Sequence, residues 1–235
     1  MFRVVTSPPS CRVQSVGALL IAAAATFLPA CPASADVILG AIAGTINSGG
    51  LGFGSLAHTF DQSGLSSNYL SGVTDLDAYL GLAPSHGSDF QLFEWFSDLG
   101  TSEASVTYDL GAVHTIGRIA LWNEDASGIG LLSLYGSTDG IGFSPVALNL
   151  APTNNPIDNP YRADVFGIGS AVLRYIRFDM SECPQPGPDA APACSIGEVA
   201  FAESGGVAEP AAIALLGLGL TAVAVMRRRR RRAGH

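Results

Sequence analysis

The chain of 235 residues contains no lysine, and away from its two ends it has almost no positive charge. Arg3 and Arg12 stand near the start and Arg227 to Arg232 near the finish, so Asp36 to Ala208 holds four arginines against nineteen acids, a net charge of about −15. Such a surface repels phosphate, which excludes nucleic acid as a partner; it attracts divalent cations and keeps an exported protein soluble. Nucleophilic catalysis finds no foothold. There is no Gly-x-Ser-x-Gly elbow, and the nearest string, GIGSA from Gly167, lacks the final glycine. His58, His86 and His114 lie far apart with no His-x-x-x-His or Glu-x-x-His spacing, which leaves zinc without a ligand set and reads as loop or surface histidine. Paired acids such as Asp75 with Asp77, or Glu124 with Asp125, suit a glycosidase only if a cleft holds them at a set separation, and in so acidic a chain neighbouring acids arise by chance. No internal repeat and no convincing amphipathic helix are present.

What is there begins with the two ends. Arg3 and Arg12 precede an apolar run from Val16 to Leu28, and Ala33-Ser34-Ala35 supplies the small-x-small pattern of a signal-peptidase site, so residues 1–35 read as a signal peptide cut before Asp36. The rival event, lipidation at Cys31 in Leu-Pro-Ala-Cys, fits poorly because of its proline. At the other end, Ala211 to Met226 is a stretch without charge, which as a helix spans roughly 24 Å against a hydrocarbon core of about 30 Å. Arginine side chains that reach the interface make up the shortfall. The block Arg227 to Arg232 stays cytoplasmic, leaving everything before Glu209 outside. The alternatives are a buried core helix with a basic tail, disfavoured because Thr221 is its only polar residue, and a nucleic-acid arm.

An acid-proline pair, a short Leu/Ala/Gly-rich span and a terminal arginine cluster resemble the PEP-CTERM sorting signal of Gram-negative bacteria that produce exopolysaccharide; here Ala208-Glu209-Pro210 stands where the family has Pro-Glu-Pro. The resemblance, over residues 209–235, implies cleavage near Glu209 and Pro210 by an exosortase, with Arg227, Arg228, Arg229 and Arg230 in the retained cluster. It implies an inner-membrane precursor that passes to the cell surface or extracellular matrix.

Between the ends, Cys183 and Cys194 are the two cysteines left after removal of the signal peptide, and they flank the loop PQPGPDAAPA. In an exported chain they should bridge, and closing a loop of about twelve residues contributes roughly 3 kcal/mol in the chain-entropy model. From Ala104 onward the pattern has a period of two. SVTYDL and TIGRIALW read as two strands, the second with Ile119 and Leu121 on one side and Ala120 and Trp122 on the other. LLSLYGSTDGIGFSPVA reads as a hairpin with an Asp139-Gly140 turn; RADVF, VLRYIRFDM and SIGEVAF follow as further strands. Seven or so short strands imply an all-β, antiparallel β-sandwich. Residues 36–64 open the ectodomain, with DVILGAIAGTI as a candidate first strand, 65–203 form the sandwich, and 204–208 link it to the sorting signal.

The order SVTYDLG, IGRIALWN, LSLYGSTDGIGF, LRYIRFDM, SIGEVAF resembles the discoidin or galactose-binding-like jelly roll. That resemblance implies a carbohydrate-binding or adhesive module, with extracellular polysaccharide as partner. It also implies a structural calcium where an early acidic loop meets the last strand, here Asp75 and Asp77 with Glu198, oxygen donors of the kind calcium takes. Trp95 and Trp122 are either a sugar-stacking platform or core, and aromatic residues fill cores more often. Arg174 and Arg177 fall on opposite faces of their strand, available to a ligand or to the surplus of acids. The expectation is an exported, non-catalytic polysaccharide-binding module, with an acidic structural matrix protein lacking a dedicated pocket as the alternative.

Overall fold

The computed structural model describes residues 35–88, 93–187 and 190–206. Ala33, Glu209, Pro210 and the arginines Arg227 to Arg230 lie outside them, as do the segment before Ala35 that reads as a signal peptide and the apolar stretch after Gly206. The chain runs through β1 (Ala35–Leu39), β2 (Ala43–Ser48), β3 (Phe53–Gly54), a 3-10 turn (Leu56–Thr59), α1 (Leu76–Gly81), β4 (Ser85–His86) and β5 (Trp95–Phe96). It continues with β6 (Ala104–Trp122), β7 (Leu131–Ser137), β8 (Ser144–Leu150), β9 (Tyr161–Ser181), β10 (Ser195–Ile196) and β11 (Glu198–Gly206).

Two strands are far longer than the sequence suggests. SVTYDL and TIGRIALW are halves of the single 19-residue β6, and RADVF joins VLRYIRFDM in the 21-residue β9. The two pair antiparallel from Ala104↔Met180 to Trp122↔Ala163, with register shifts between Asp109 and His114 and between Ile116 and Arg118. At that place Gly111 (φ 84°), Gly169 (φ 70°) and Ser170 (φ 58°) adopt left-handed backbone. Extra residues of this kind bend and twist a ladder without ending it. Glycine at 111 therefore marks a corner, and not the strand end that the sequence pattern suggests.

The corner divides one hydrogen-bonded ladder into two sheets. The front sheet runs β2, first half of β6, second half of β9, β7, β8. The back sheet runs β1, β11, second half of β6, first half of β9, β4. Their inner faces meet through Tyr108 and Phe178 of the front sheet against Phe201 of the back, with ring centroids 5.9 Å and 6.4 Å apart. The domain is thus an antiparallel β-sandwich. Alternation in the back sheet works as expected: Ile119, Leu121, Val199 and Phe201 enter the sandwich core, while Ala120, Trp122, Ala200 and Ala202 face outward. That outer face is covered as well, by Tyr69, Leu76 and Tyr79 from the segment containing α1.

The helix is a departure from the expected acidic loop. Asp75 is its N-cap, accepting a hydrogen bond from Ala78 N at 2.7 Å, with Asp77 in the first turn where the helix dipole favours an anion. Residues 36–64 carry three strands in place of one. The Cys183–Cys194 bridge forms, with Cα atoms 5.0 Å apart, beside a buried Ser97 that accepts from Cys194 N at 2.9 Å.

Replacing Gly111 with valine tests the corner. A Cβ there meets Ile42 Cδ1 at 3.0 Å, and φ of 84° is costly for a β-branched residue. The expected loss is about 2–3 kcal/mol, read as a lower midpoint in urea unfolding, and Gly100→Val, which meets nothing within 4 Å, separates the backbone cost from the clash.

Candidate functional site

Among the described residues nothing covers the outer face of the front sheet, and it is built from the alternate residues of the strands that fill the core. While Val106, Ile176 and Leu134 point inward, Ser105, Thr107, Arg177, Asp179 and Tyr135 point out. Register then lines them up in rows: Thr45, Thr107, Arg177, Tyr135 in one, and Ser48, Ser105, Asp179, Ser133 in the next. The β7–β8 turn closes one side with Asp139, Gly140 and Phe143. The result is a groove of about 590 Å³.

Its polar groups are pre-set by one another. Asn47 donates from Nδ2 to Thr107 Oγ1 (2.8 Å) and Ser105 Oγ (3.1 Å), and Ser105 Oγ donates to Asp179 Oδ1 at 2.6 Å. Arg177 donates from Nη2 to Asp179 Oδ2 at 3.1 Å; its Nε lies 3.0 Å from Oδ1 without the alignment of a hydrogen bond. The guanidinium also lies over the rings of Tyr135 (4.6 Å) and Phe143 (5.0 Å), an arrangement that holds it flat. Asp139 accepts from Ile141 N and Gly142 N at 2.9 and 3.0 Å and from Ser137 Oγ, and these hydrogen bonds hold its carboxyl down at about 2. Next to the groove, Arg174 grips Asp109 through Nε (2.8 Å) and Nη2 (2.9 Å), which keeps the Asp109 carboxyl below its ordinary range. Both arginines thus pair with acids, and the groove offers hydroxyls, an amide, two carboxylates and aromatic edges but, among the described residues, no free cation.

The residues singled out from sequence fall elsewhere. Trp95 and Trp122 are wholly buried, so neither presents a face to a sugar, and the stacking reading is overturned in favour of the core. Trp122 Nε1 donates to Pro84 O at 3.2 Å. The proposed calcium ligands do not converge. Asp75 caps α1 and bridges to Val37, which pairs with Glu203, five residues or roughly 17 Å along β11 from Glu198. Asp77 is taken by Arg118 at 2.7 Å, and Glu198 is buried, accepting from Gln62 N at 3.1 Å with its other oxygen unpartnered. The donor set therefore does not fit one ion, and among the described residues no three His, Cys, Asp or Glu side chains gather for a metal.

A buried polar cluster was missed. His86 is fully inside, contrary to the surface expectation: its Nδ1 lies 2.9 Å from Tyr161 Oη and 3.6 Å from Glu94 Oε1. Glu124 is also internal, accepting from Ala126 N and Ser195 Oγ, both at 2.9 Å, while Asp125 accepts from Asp158 N at 2.7 Å and lines a small pocket of about 170 Å³ with Asn154 and Gln185. Burial pushes Glu94 up to about 8 and Glu124 up to about 7, and raises Glu198 well above the carboxylate range. The folded state then holds protons that the unfolded state releases, so these groups stabilise below their unfolded values and the contribution is lost as pH rises through the folded ones. His86, lowered by burial, works oppositely: its contribution is present above the ordinary 6.5 and lost below it. Above 6.5 only the carboxylates act. Thermal stability is expected to fall between pH 6.5 and about 8, and Glu94→Gln to flatten that fall in a calorimetric pH series.

No family model matches the chain, and no curated protein does. Solved structures of similar fold include chitosan-binding module 1 of a chitosanase/glucanase from Paenibacillus sp. IK-5, at 18% identity over 69% of this chain and 95% of that one, TM-score 0.44. Another is the CBM32 of AlyQ in complex with 4,5-unsaturated mannuronic acid, at 17% over 70% and 96%, TM-score 0.43. A third is a pectin-binding carbohydrate-binding module, at 16% over 69% and 91%, TM-score 0.41.

Proposed function

We propose that this chain is a non-catalytic polysaccharide-binding module of galactose-binding-like architecture, and that the front-sheet groove is its binding face. The observation that carries the reading is the groove itself: an open trough of hydroxyl, amide and carboxylate groups held in place by mutual hydrogen bonds, flanked by Tyr135, Phe143 and Tyr175. Sugars ask for this combination, polar groups for hydroxyls and aromatic carbon for the ring faces. Because both groove-side arginines are neutralised and the ectodomain is strongly acidic, the polymer is one without carboxylates.

Residues 1–35 serve in this reading as an export signal and 209–235 as an exosortase-processed anchor. They take the module through the inner membrane to the surface or matrix of a Gram-negative cell, with signal peptidase and exosortase as processing partners. Affinity electrophoresis through gels containing neutral glucan, galactan or polyuronate tests the binding claim. Saturable, salt-insensitive retardation by a neutral polymer supports it. Weak, salt-sensitive retardation by all of them favours the acidic matrix protein. Mass spectrometry of the protein from its host, reporting both termini, tests the processing.

A further inference from the structure

Four large apolar side chains stand exposed around the corner where the sheets turn over: Ile42 (67% exposed), Val113 (52%), Val172 (62%) and Ile141 (87%). Ile42 donates its N–H to Asp109 O at 2.8 Å and lies against Gly111; Val172 pairs with Thr115, next to Val113 and His114. Ile141 sits at the tip of the β7–β8 hairpin, which projects from the same end because Ser137 pairs with Tyr175, two residues from Leu173 of the corner.

The last described strand leaves at this same corner. Glu203 pairs with Ile116 and its Oε1 lies 2.9 Å from His114 Nδ1, while Ser204 Oγ donates to Thr115 O at 3.4 Å. Only Val207 to Pro210 then separate Gly206 from the uncharged stretch that opens at Ala211. Four residues reach at most about 14 Å even when extended. Arg174 is matched by Asp109, and this end also carries the carboxylates of Glu203, beside His114, and Asp139, at the hairpin tip, so the patch suits an uncharged or zwitterionic partner and repels an anionic one.

We propose that this corner is the membrane-contacting end of the domain: before processing, Ile42, Val113, Ile141 and Val172 rest in the headgroup and upper acyl layer of the bilayer that holds Ala211 to Met226. The inference rests on the anchor reading above. Membrane interfaces take exposed apolar side chains on a short tether in this way, by burying their area. The sandwich then stands with its strands rising from the surface, and the far end of the groove, at Ser105 and Asp179, faces away from the lipid.

The test uses the full, uncut chain reconstituted into phosphatidylcholine vesicles with brominated acyl chains. Tryptophan is placed singly by Val113→Trp, Val172→Trp and, at the opposite end of the front sheet, Leu99→Trp; thermal unfolding confirms that each variant is folded. The expected result is blue-shifted, bromine-quenched emission added at 113 and 172, and unquenched emission at 99. If the chain floats with the vesicles but 113 and 172 behave like 99, the corner is dry and the inference is overturned while the anchor stands. A chain that does not float at all overturns the anchor reading and the inference with it.

Discussion

Arg177→Ala is expected to weaken polysaccharide binding by about tenfold to a hundredfold, the equivalent of losing one charge-assisted hydrogen bond of about 1.5–3 kcal/mol. The guanidinium sits between Tyr135 and Phe143 at 4.6 and 5.0 Å and holds Asp179, which in turn accepts from Ser105. Removing it loosens two aromatic rings and a carboxylate at once. The side chain is part of an open face, where each cation–π contact is worth about 1 kcal/mol or less, so the melting temperature should move by only a few degrees. Arg177→Lys should recover little, because a point charge cannot lie flat across two rings and face a carboxylate. Affinity electrophoresis beside calorimetry separates the outcomes. Unchanged retention with an unchanged melting temperature would remove the groove from consideration.

Trp122→Ala is expected to lower stability by about 3–5 kcal/mol, a large share of the 5–15 kcal/mol typical of a domain. Trp122 is wholly enclosed, with Tyr79 packed edge-on at 6.5 Å, Ile38 and Leu76 in the same cluster, and its ring N–H bonded to Pro84 O. Truncation leaves a void between the back sheet and α1 together with an unpaired carbonyl. The melting temperature should fall by roughly 10 °C or more. Trp122→Phe keeps most of the volume and should cost visibly less. Unchanged stability on truncation would contradict this enclosed, core-filling placement.

The β-sandwich was legible because period-two alternation survives wherever a strand has one face in the core, as in SVTYDL and LLSLYGS. The continuity of β6 and β9 was not. A glycine between two alternating runs looks the same whether it ends a strand or bends one, and only the ladder opposite, with its own break at Gly169 and Ser170, distinguishes the cases. Likewise α1, at six residues, is too short to show a helical period, although Asp75 followed by Asp77 was a capping signal available to be read.

The groove was the least visible feature. Thr45, Thr107, Arg177 and Tyr135 come from four strands, and nothing in the linear order says that they share a row. The pairing of Arg177 with an acid was one of two fates that the charge surplus left open; its two rings were not visible at all. His86 was read as a surface residue and Glu94 was not singled out, because a lone histidine and a lone acid carry no spacing; the burial of His86 follows from the pairing of β4 with β9.

The last strand has a mechanical consequence. β11 lies between β1 and β6, bonded antiparallel to both, and it is the strand that leads toward the proposed anchor. Suppose a polymer drags on the front sheet while the tail is held: the pull runs lengthwise down β11, so its hydrogen bonds on both sides are sheared together and do not unzip one after another. On the proposed anchor, a domain wired in this way resists being pulled apart by flow.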